Sequence, residues 1–240
     1  MNSTSLEEKH IHEAYGVRAA TDARYSFFDQ GQLFRIHQLE RGILASLRLH
    51  GLEPLHSRRI LEVGCGTGYW LRQFIQWGAR PENLTGVDLL AERVAEAMEL
   101  CPPQVKIHRA NAATLHFAEG TFDLVFQATL FTSIFDPDIK HQIAAEMMRV
   151  TKRDGLILWY DFRVNNPSNA DVQGVRSREI QKLFPSCDIT LHRVTLAPPL
   201  VRRLARYSWV TCYLLEKIPS LCTHYLGVIR KQVTPGIVSS

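Results

Sequence analysis

The chain has no apolar run long enough to span a bilayer, and its N-terminus lacks the apolar core of a signal sequence. No Cys-x-x-Cys pair points to zinc, and five scattered cysteines form no disulfide framework. Reduced thiols in a cytoplasmic protein are therefore expected. The formal net charge of +4 is too small to argue for nucleic acid unless it is clustered. Internal repeats and low-complexity tracts are missing too, and no acid-rich metal set stands out. What remains is an ordinary globular composition, with 240 residues to build a sizeable core.

The rest is organised around Arg59-Ile60-Leu61-Glu62-Val63-Gly64-Cys65-Gly66-Thr67-Gly68-Tyr69-Trp70. Ile60, Leu61 and Val63 form a short apolar run that reads as a buried strand. Three alternating glycines follow, then an amphipathic stretch to Trp77. Strand, glycine loop and helix let a ligand approach bare backbone, near the unpaired N–H groups of a helix start. A phosphate loop would need Gly-Lys-Ser/Thr, but Gly68 is followed by Tyr69 and Trp70. The dinucleotide fingerprint needs a wider second glycine spacing. Asp88 ends a second strand about twenty residues past the loop, where a doubly wound unit sets a carboxylate against a ribose. A carboxylate only accepts hydrogen bonds, so it suits a vicinal diol. The competing reading makes Asp88 a cap for a helix over Leu90–Leu100.

The alternation continues. Val105–Arg109, Phe122–Gln127 and Leu156–Phe162 read as strands three, four and five, with a helix over Ile139–Val150 and a turn at Lys152–Gly155. Strands alternating with helices predict a mostly parallel sheet covered on both faces, with its ligand at the carboxyl ends of the strands. Upstream, Leu33, Ile36, Leu39, Ile43 and Leu47 recur at helical spacing, giving a helix from about Gln32 to His50. His37 falls on its polar side, and reads first as a solvated residue. Downstream, Ser177–Leu183 reads as a helix capped by Ser177; Asp188–Leu196 and His224–Arg230 read as strands six and seven.

Glu62-x-Gly64-x-Gly66-x-Gly68 resembles motif I of the class I S-adenosylmethionine-dependent methyltransferases, and Phe122–Gln127 resembles their motif IV. The resemblance covers about half the chain. It implies an α/β fold: a doubly wound, mostly parallel seven-stranded sheet with helices on both faces, an N-terminal helical lid over residues 1–50, and a methyltransferase domain over 51–240. It implies S-adenosyl-L-methionine as cofactor, held by Glu62, Gly64, Cys65, Gly66, Gly68, Asp88, Leu89, Asn111, Ala112 and Gln127. Where the family prefers Asp to accept from the adenine amine, this chain has Asn111, which accepts without charge assistance. Asp/Asn-Pro-Pro-Tyr/Phe, used for exocyclic amines, is missing after strand four.

The reading is methyl transfer to an oxygen or nitrogen of a small-molecule acceptor, a glycan or lipid-linked intermediate being one candidate, with no nucleic acid expected. RNA or protein methylation and a non-catalytic cofactor-binding subunit are the alternatives. Transfer is an in-line displacement, so alignment dominates. An oxygen acceptor also needs a base, for which Asp161, Tyr25 and His37 are candidates, with Tyr15, Tyr160 and His224 behind them. The loop Arg163–Asp171 is expected to border the acceptor.

The stretch Ala197–Thr223, between the last two strands, is the most individual. It mixes Leu200, Leu204, Trp209 and Tyr213 with Arg202, Arg203 and Arg206, predicting one amphipathic helix ending near Pro219. It is either a cap with a solvated basic face or, over 198–219, a peripheral membrane contact or a grip on an anionic acceptor. Oligomeric state is left open.

Overall fold

The computed structural model describes residues 26–165 and 172–232. Its first helix, α1 (Gln30–Leu49), is capped by Asp29, whose carboxylate accepts from the Gln32 N–H at 2.8 Å. Then β1 (Ile60–Val63), α2 (Tyr69–Gln76), β2 (Leu84–Asp88), α3 (Ala91–Leu100), β3 (Lys106–Arg109) and β4 (Phe122–Ala128) alternate. After these come α4 (Pro137–Val150), β5 (Thr151–Phe162), α5 (Ser177–Leu183), β6 (Cys187–Leu196), α6 (Pro198–Leu204), α7 (Trp209–Leu215) and β7 (Cys222–Lys231).

The strands form one seven-stranded sheet in the order β3-β2-β1-β4-β5-β7-β6. The first five are parallel; β7 runs antiparallel to β5 and β6. The order reverses between β1 and β4, which makes the carboxyl ends of those strands the switch point. Central strands are apolar on both faces because helices cover both. One face packs Leu39, Ile43 and Leu47 of α1 and Leu71 and Phe74 of α2 against Ile60, Leu124 and Leu158. The other packs Ile143, Ala144 and Met147 of α4 and Ile180 of α5 against Leu61, Val125 and Ile157. β6, at the edge, alternates half-buried and exposed residues, as an edge strand solvated on one face does.

Several expectations shift. Residues 30–49 of the expected lid form a core layer, since Ile43 is wholly buried; Tyr15, Tyr25 and the rest of 1–25 lie outside the described residues. Lys152–Gly155 is not a turn: β5 starts at Thr151, and a register shift opposite Phe122 and Leu124 absorbs the irregularity. Lys152 Nζ anchors that point on Asp123 at 2.9 Å. Ser177 does not cap α5; Arg176 holds the cap position without a side-chain bond. The single helix expected after Pro198 is two. Residues 205–208 separate them, and Ser208 Oγ caps α7 by accepting from the Thr211 N–H at 3.1 Å. No described helix is long and apolar enough to cross a membrane.

Candidate functional site: a glycine loop and two carboxylates at the switch point

The loop after β1 turns sharply because all three glycines have positive φ, 74° at Gly64, 52° at Gly66 and 73° at Gly68. Gly64 and Cys65 both donate to the Val87 carbonyl, at 2.9 and 3.0 Å, so the loop is stitched to β2. The Arg72 guanidinium holds the far side through the Thr67 carbonyl at 2.7 Å. Gly66 and Gly68 then differ in kind. A Cβ at Gly68 would stand 2.5 Å from Cys101 Sγ, so glycine there serves packing. A Cβ at Gly66 would meet nothing within 4 Å: the backbone faces open space, as a ligand cradle requires.

Asp88, at the end of β2, closes the other side. Its Oδ2 accepts from the Gly66 N–H at 2.8 Å and its Oδ1 from the Leu90 N–H at 3.0 Å. The carboxylate thus ties the loop to the approach of α3, without reaching the second or third helical N–H that a cap would take. Each oxygen keeps a second lone pair for a diol. Glu62, fully buried one strand away, differs. Burial first, then the Asp88 charge, raises its carboxyl well above the usual range, against a hydrogen bond from the Leu71 backbone and the Arg72 charge. Its Oε2 has no partner.

The remaining cofactor candidates surround this loop unevenly. Cys65 turns its side chain inward, with Sγ 2.9 Å from where a Cβ of Gly86 would stand. Burial raises that thiol's pKa. Cys65 therefore contributes backbone and packing, not a side chain facing a ligand. Leu89 is half-buried beside Asp88, its carbonyl held by Arg109 Nε at 3.2 Å. Asn111 Oδ1 accepts from the Ala113 N–H at 2.9 Å, shaping the turn that carries half-buried Ala112. Glu146 and Arg149 pin the next residues: Glu146 accepts from the Leu115 N–H at 2.7 Å, and Arg149 donates to the Leu115 and Phe117 carbonyls at 2.8 and 2.6 Å. Gln127, at the end of β4, is wholly buried; its Oε1 accepts from the Leu130 N–H at 3.0 Å while its Nε2 has no partner. A buried, unsatisfied donor costs about 1–3 kcal/mol, and here it sits at the switch point.

The catalytic candidates fare differently. Asp161 is fully buried, and its oxygens already hold backbone: Oδ2 accepts from Phe131 N–H at 2.9 Å and Thr132 N–H at 3.4 Å, Oδ1 from Phe162 N–H at 3.0 Å. Burial pushes its pKa up to about 7 against those bonds. This geometry makes Asp161 the brace of the turn Phe131–Ser133, not a side chain turned to an acceptor. His37 is half-buried, not solvated, with its ring edge-on to Trp209 of α7 at 5.7 Å. Residues 166–171 of the expected acceptor loop lie outside the described residues.

A buried polar group at the β5 end was legible only in part. Tyr160, on the face opposite Asp161, bonds Thr195 Oγ1 at 2.9 Å and stacks on His224 at 4.7 Å. His224 Nδ1 meets Thr223 Oγ1 at 2.9 Å, and its Nε2 has no partner. Burial, with the Arg35 charge behind it, drives its pKa well below the ordinary value, so the ring is neutral. Arg35 and Thr195 carry no signal in the sequence; only folding brings α1 and β6 to this point. No group of three or more metal-ligating side chains occurs among the described residues.

A doubly wound sheet with an open glycine loop and a carboxylate across the switch point is an arrangement suited to a nucleoside. Comparison with known proteins makes the class specific. A family model described as a methyltransferase domain matches residues 60–155. The 2-methyl-6-phytyl-1,4-hydroquinone methyltransferase of Synechocystis sp. is 34% identical over 116 residues, which are 47% of this chain and 35% of that protein. The ubiquinone biosynthesis O-methyltransferase of Paracidovorax citrulli is 29% identical over 106 residues, 42% of this chain and 43% of that one. The chain thus spans less than half the length of these two relatives. The fold is shared with a Burkholderia thailandensis 1,6-didemethyltoxoflavin-N1-methyltransferase solved with S-adenosylhomocysteine (TM-score 0.58, 16% identity, 96% of this chain and 89% of that chain covered). Residues 60–155 thus match a methyltransferase domain, and the chain shares the fold of S-adenosylmethionine-dependent methyltransferases such as one from Archaeoglobus fulgidus.

Proposed function

We propose that the protein transfers the methyl group of S-adenosylmethionine to an oxygen or nitrogen of a small-molecule acceptor at the carboxyl ends of β4 and β5. The observation that carries this reading is the pairing at the loop: the Gly66 backbone open to space, with the Asp88 carboxylate bonded to its N–H at 2.8 Å. The cofactor supplies an electrophilic methyl on a sulfonium. Asp88 accepts from the two ribose hydroxyls, each charged bond contributing about 1.5–3 kcal/mol. Leu89 lies against the adenine, Asn111 receives its amino group, and the unpartnered Gln127 amide donates at the β4 end. The protein's work is to align the acceptor and exclude water.

The names of the two curated relatives, one a 2-methyl-6-phytyl-1,4-hydroquinone methyltransferase and one an O-methyltransferase of ubiquinone biosynthesis, support a small molecule, and the second favours oxygen. The test is a transfer assay with methyl-labelled S-adenosylmethionine and bacterial extract, separated into lipid, aqueous metabolite and macromolecular fractions. Label in either of the first two is expected. Label confined to RNA or protein overturns the choice of acceptor.

A further inference from the structure

A surface helix ordinarily turns a polar face to water. α7 does not: between Trp209 and Leu215 it carries no charged residue. Its inner side is spent on Cys212, wholly buried, with Trp209 and Leu215 half-buried around Phe34 and Val201. Its outer side is apolar but for Thr211, whose hydroxyl bonds Ser208 Oγ at 3.0 Å. Val210 is 71% exposed and Leu214 63%, with Tyr213 completing an i, i+3, i+4 stripe; exposed Tyr207 precedes the helix and exposed Ile218 follows its end. An exposed apolar stripe of this kind marks a surface that something covers.

The rim of the stripe has one sign. Residues 198–221 contain Arg202, Arg203, Arg206 and Lys217, all exposed, against a single acid, Glu216. That acid is taken: Arg41 of α1 holds it at 3.1 Å and Lys217 at 3.5 Å, and its side chain is only 5% exposed, which leaves the three arginines without an acid of this segment. Three cations lie over tyrosine rings, Arg206 at 4.7 Å from Tyr207, and Lys217 and Arg41 at 4.5 and 5.7 Å from Tyr213. Long basic side chains with apolar stems beside amphipathic aromatics suit a boundary that is apolar below and anionic above.

The helix is rigidly mounted. Trp209 Nε1 donates to Gln30 Oε1 at 3.2 Å, and its ring meets Phe34 edge-on at 5.5 Å. Moreover, the insertion leaves β6 at Leu196 and enters β7 at Cys222. Both points lie at the sheet edge where β4 and β5 have their carboxyl ends. A two-fold contact between two copies of this face would set the same arginines against each other, which costs energy.

We propose that the outer face of α7, with its arginine rim, docks the protein on an anionic lipid bilayer. Val210, Leu214 and Ile218 enter the headgroup–acyl boundary, while Arg202, Arg203 and Arg206 meet lipid phosphates. Apolar insertion and a basic patch together supply the two signals that stable anchoring takes.

Flotation of the full chain with phosphatidylcholine vesicles, with and without phosphatidylserine, tests this without cofactor or turnover, so its failure is separable from failure of the methyltransferase reading. Binding to the anionic vesicles, weakening as salt rises, is expected. Val210→Asp with Leu214→Asp should lower it by about tenfold or more, by removing apolar insertion and adding charge. Arg203→Gln with Arg206→Gln should lower it about 25-fold at low salt, about fivefold for each cation lost near the surface. All four side chains are exposed, so circular dichroism should be unchanged. Equal binding to neutral and anionic vesicles, or variants that float like the parent, overturns the proposal. So does a dimer that dissociates on Val210→Asp with Leu214→Asp while neither protein floats, which would give the stripe to a second copy.

Discussion

Gly68→Ala tests how the glycine loop is built. Gly68 sits at φ 73°, ψ 24°, and leads directly into α2. An alanine there meets two separate costs. The left-handed backbone costs about 1–2 kcal/mol once a Cβ is present. The Cβ would also stand 2.5 Å from Cys101 Sγ, a buried atom donating toward the Gly68 carbonyl at 3.7 Å. Overpacking of that kind costs about 1–3 kcal/mol. Gly68→Ala should therefore lower unfolding free energy by roughly 2–5 kcal/mol, read as a urea midpoint shift with unchanged slope. The two costs separate in a Cys101→Ala background. That change removes the clashing sulfur but leaves the backbone strain, because the next atoms, Arg72 Nη1 and Ala97 Cβ, stand at 3.5 and 3.6 Å. In the double variant the cost of alanine at 68 should fall to about 1–2 kcal/mol, a coupling of about 1–3 kcal/mol. Strictly additive effects would refute the packing role given to Gly68.

Gly66→Ala should behave in the opposite sense. With nothing within 4 Å of its Cβ, stability should fall only by the strain of about 1–2 kcal/mol, while S-adenosylmethionine affinity falls at least tenfold by calorimetry, because the methyl group occupies the ligand face. Parental affinity would mean that the cofactor does not approach that backbone. Asp161, with its pKa pushed up to about 7 from an unfolded value of about 3.9, favours the protonated folded state. Its contribution is complete below about pH 4 and is lost as pH rises to about 7. Asp161→Asn, which cannot ionise, should flatten the decline in urea midpoint across that window. A decline as steep as the parent's would show that Asp161 does not carry the effect.

Much of the fold was legible because its signals are local. The apolar run Ile60–Val63, the glycines and Asp88 announce a strand, a turn and a second strand without any knowledge of neighbours. The alternation of elements then implies a parallel sheet, and the switch point follows. What escaped depends on pairing across the chain. β5 extends back to Thr151 because it pairs there with Phe122, so turn-forming Lys152–Gly155 is held extended by tertiary context. Tyr160 and Asp161 necessarily face opposite sides of β5. Yet only the packing of Phe131 on one side and His224 on the other tells which side holds what. The arginines after Pro198 implied one amphipathic helix with a solvated basic face; Ser208 splits it, and the second half turns an apolar face outward.

The most direct measurement is calorimetric titration of S-adenosylmethionine into the parent protein and into Asp88→Ala. Saturable one-to-one binding by the parent is expected. The variant should bind at least about tenfold more weakly, since it loses charged acceptors contributing about 1.5–3 kcal/mol each. Tight binding that survives Asp88→Ala would contradict the ribose assignment, and a parent that binds no cofactor would contradict the site itself.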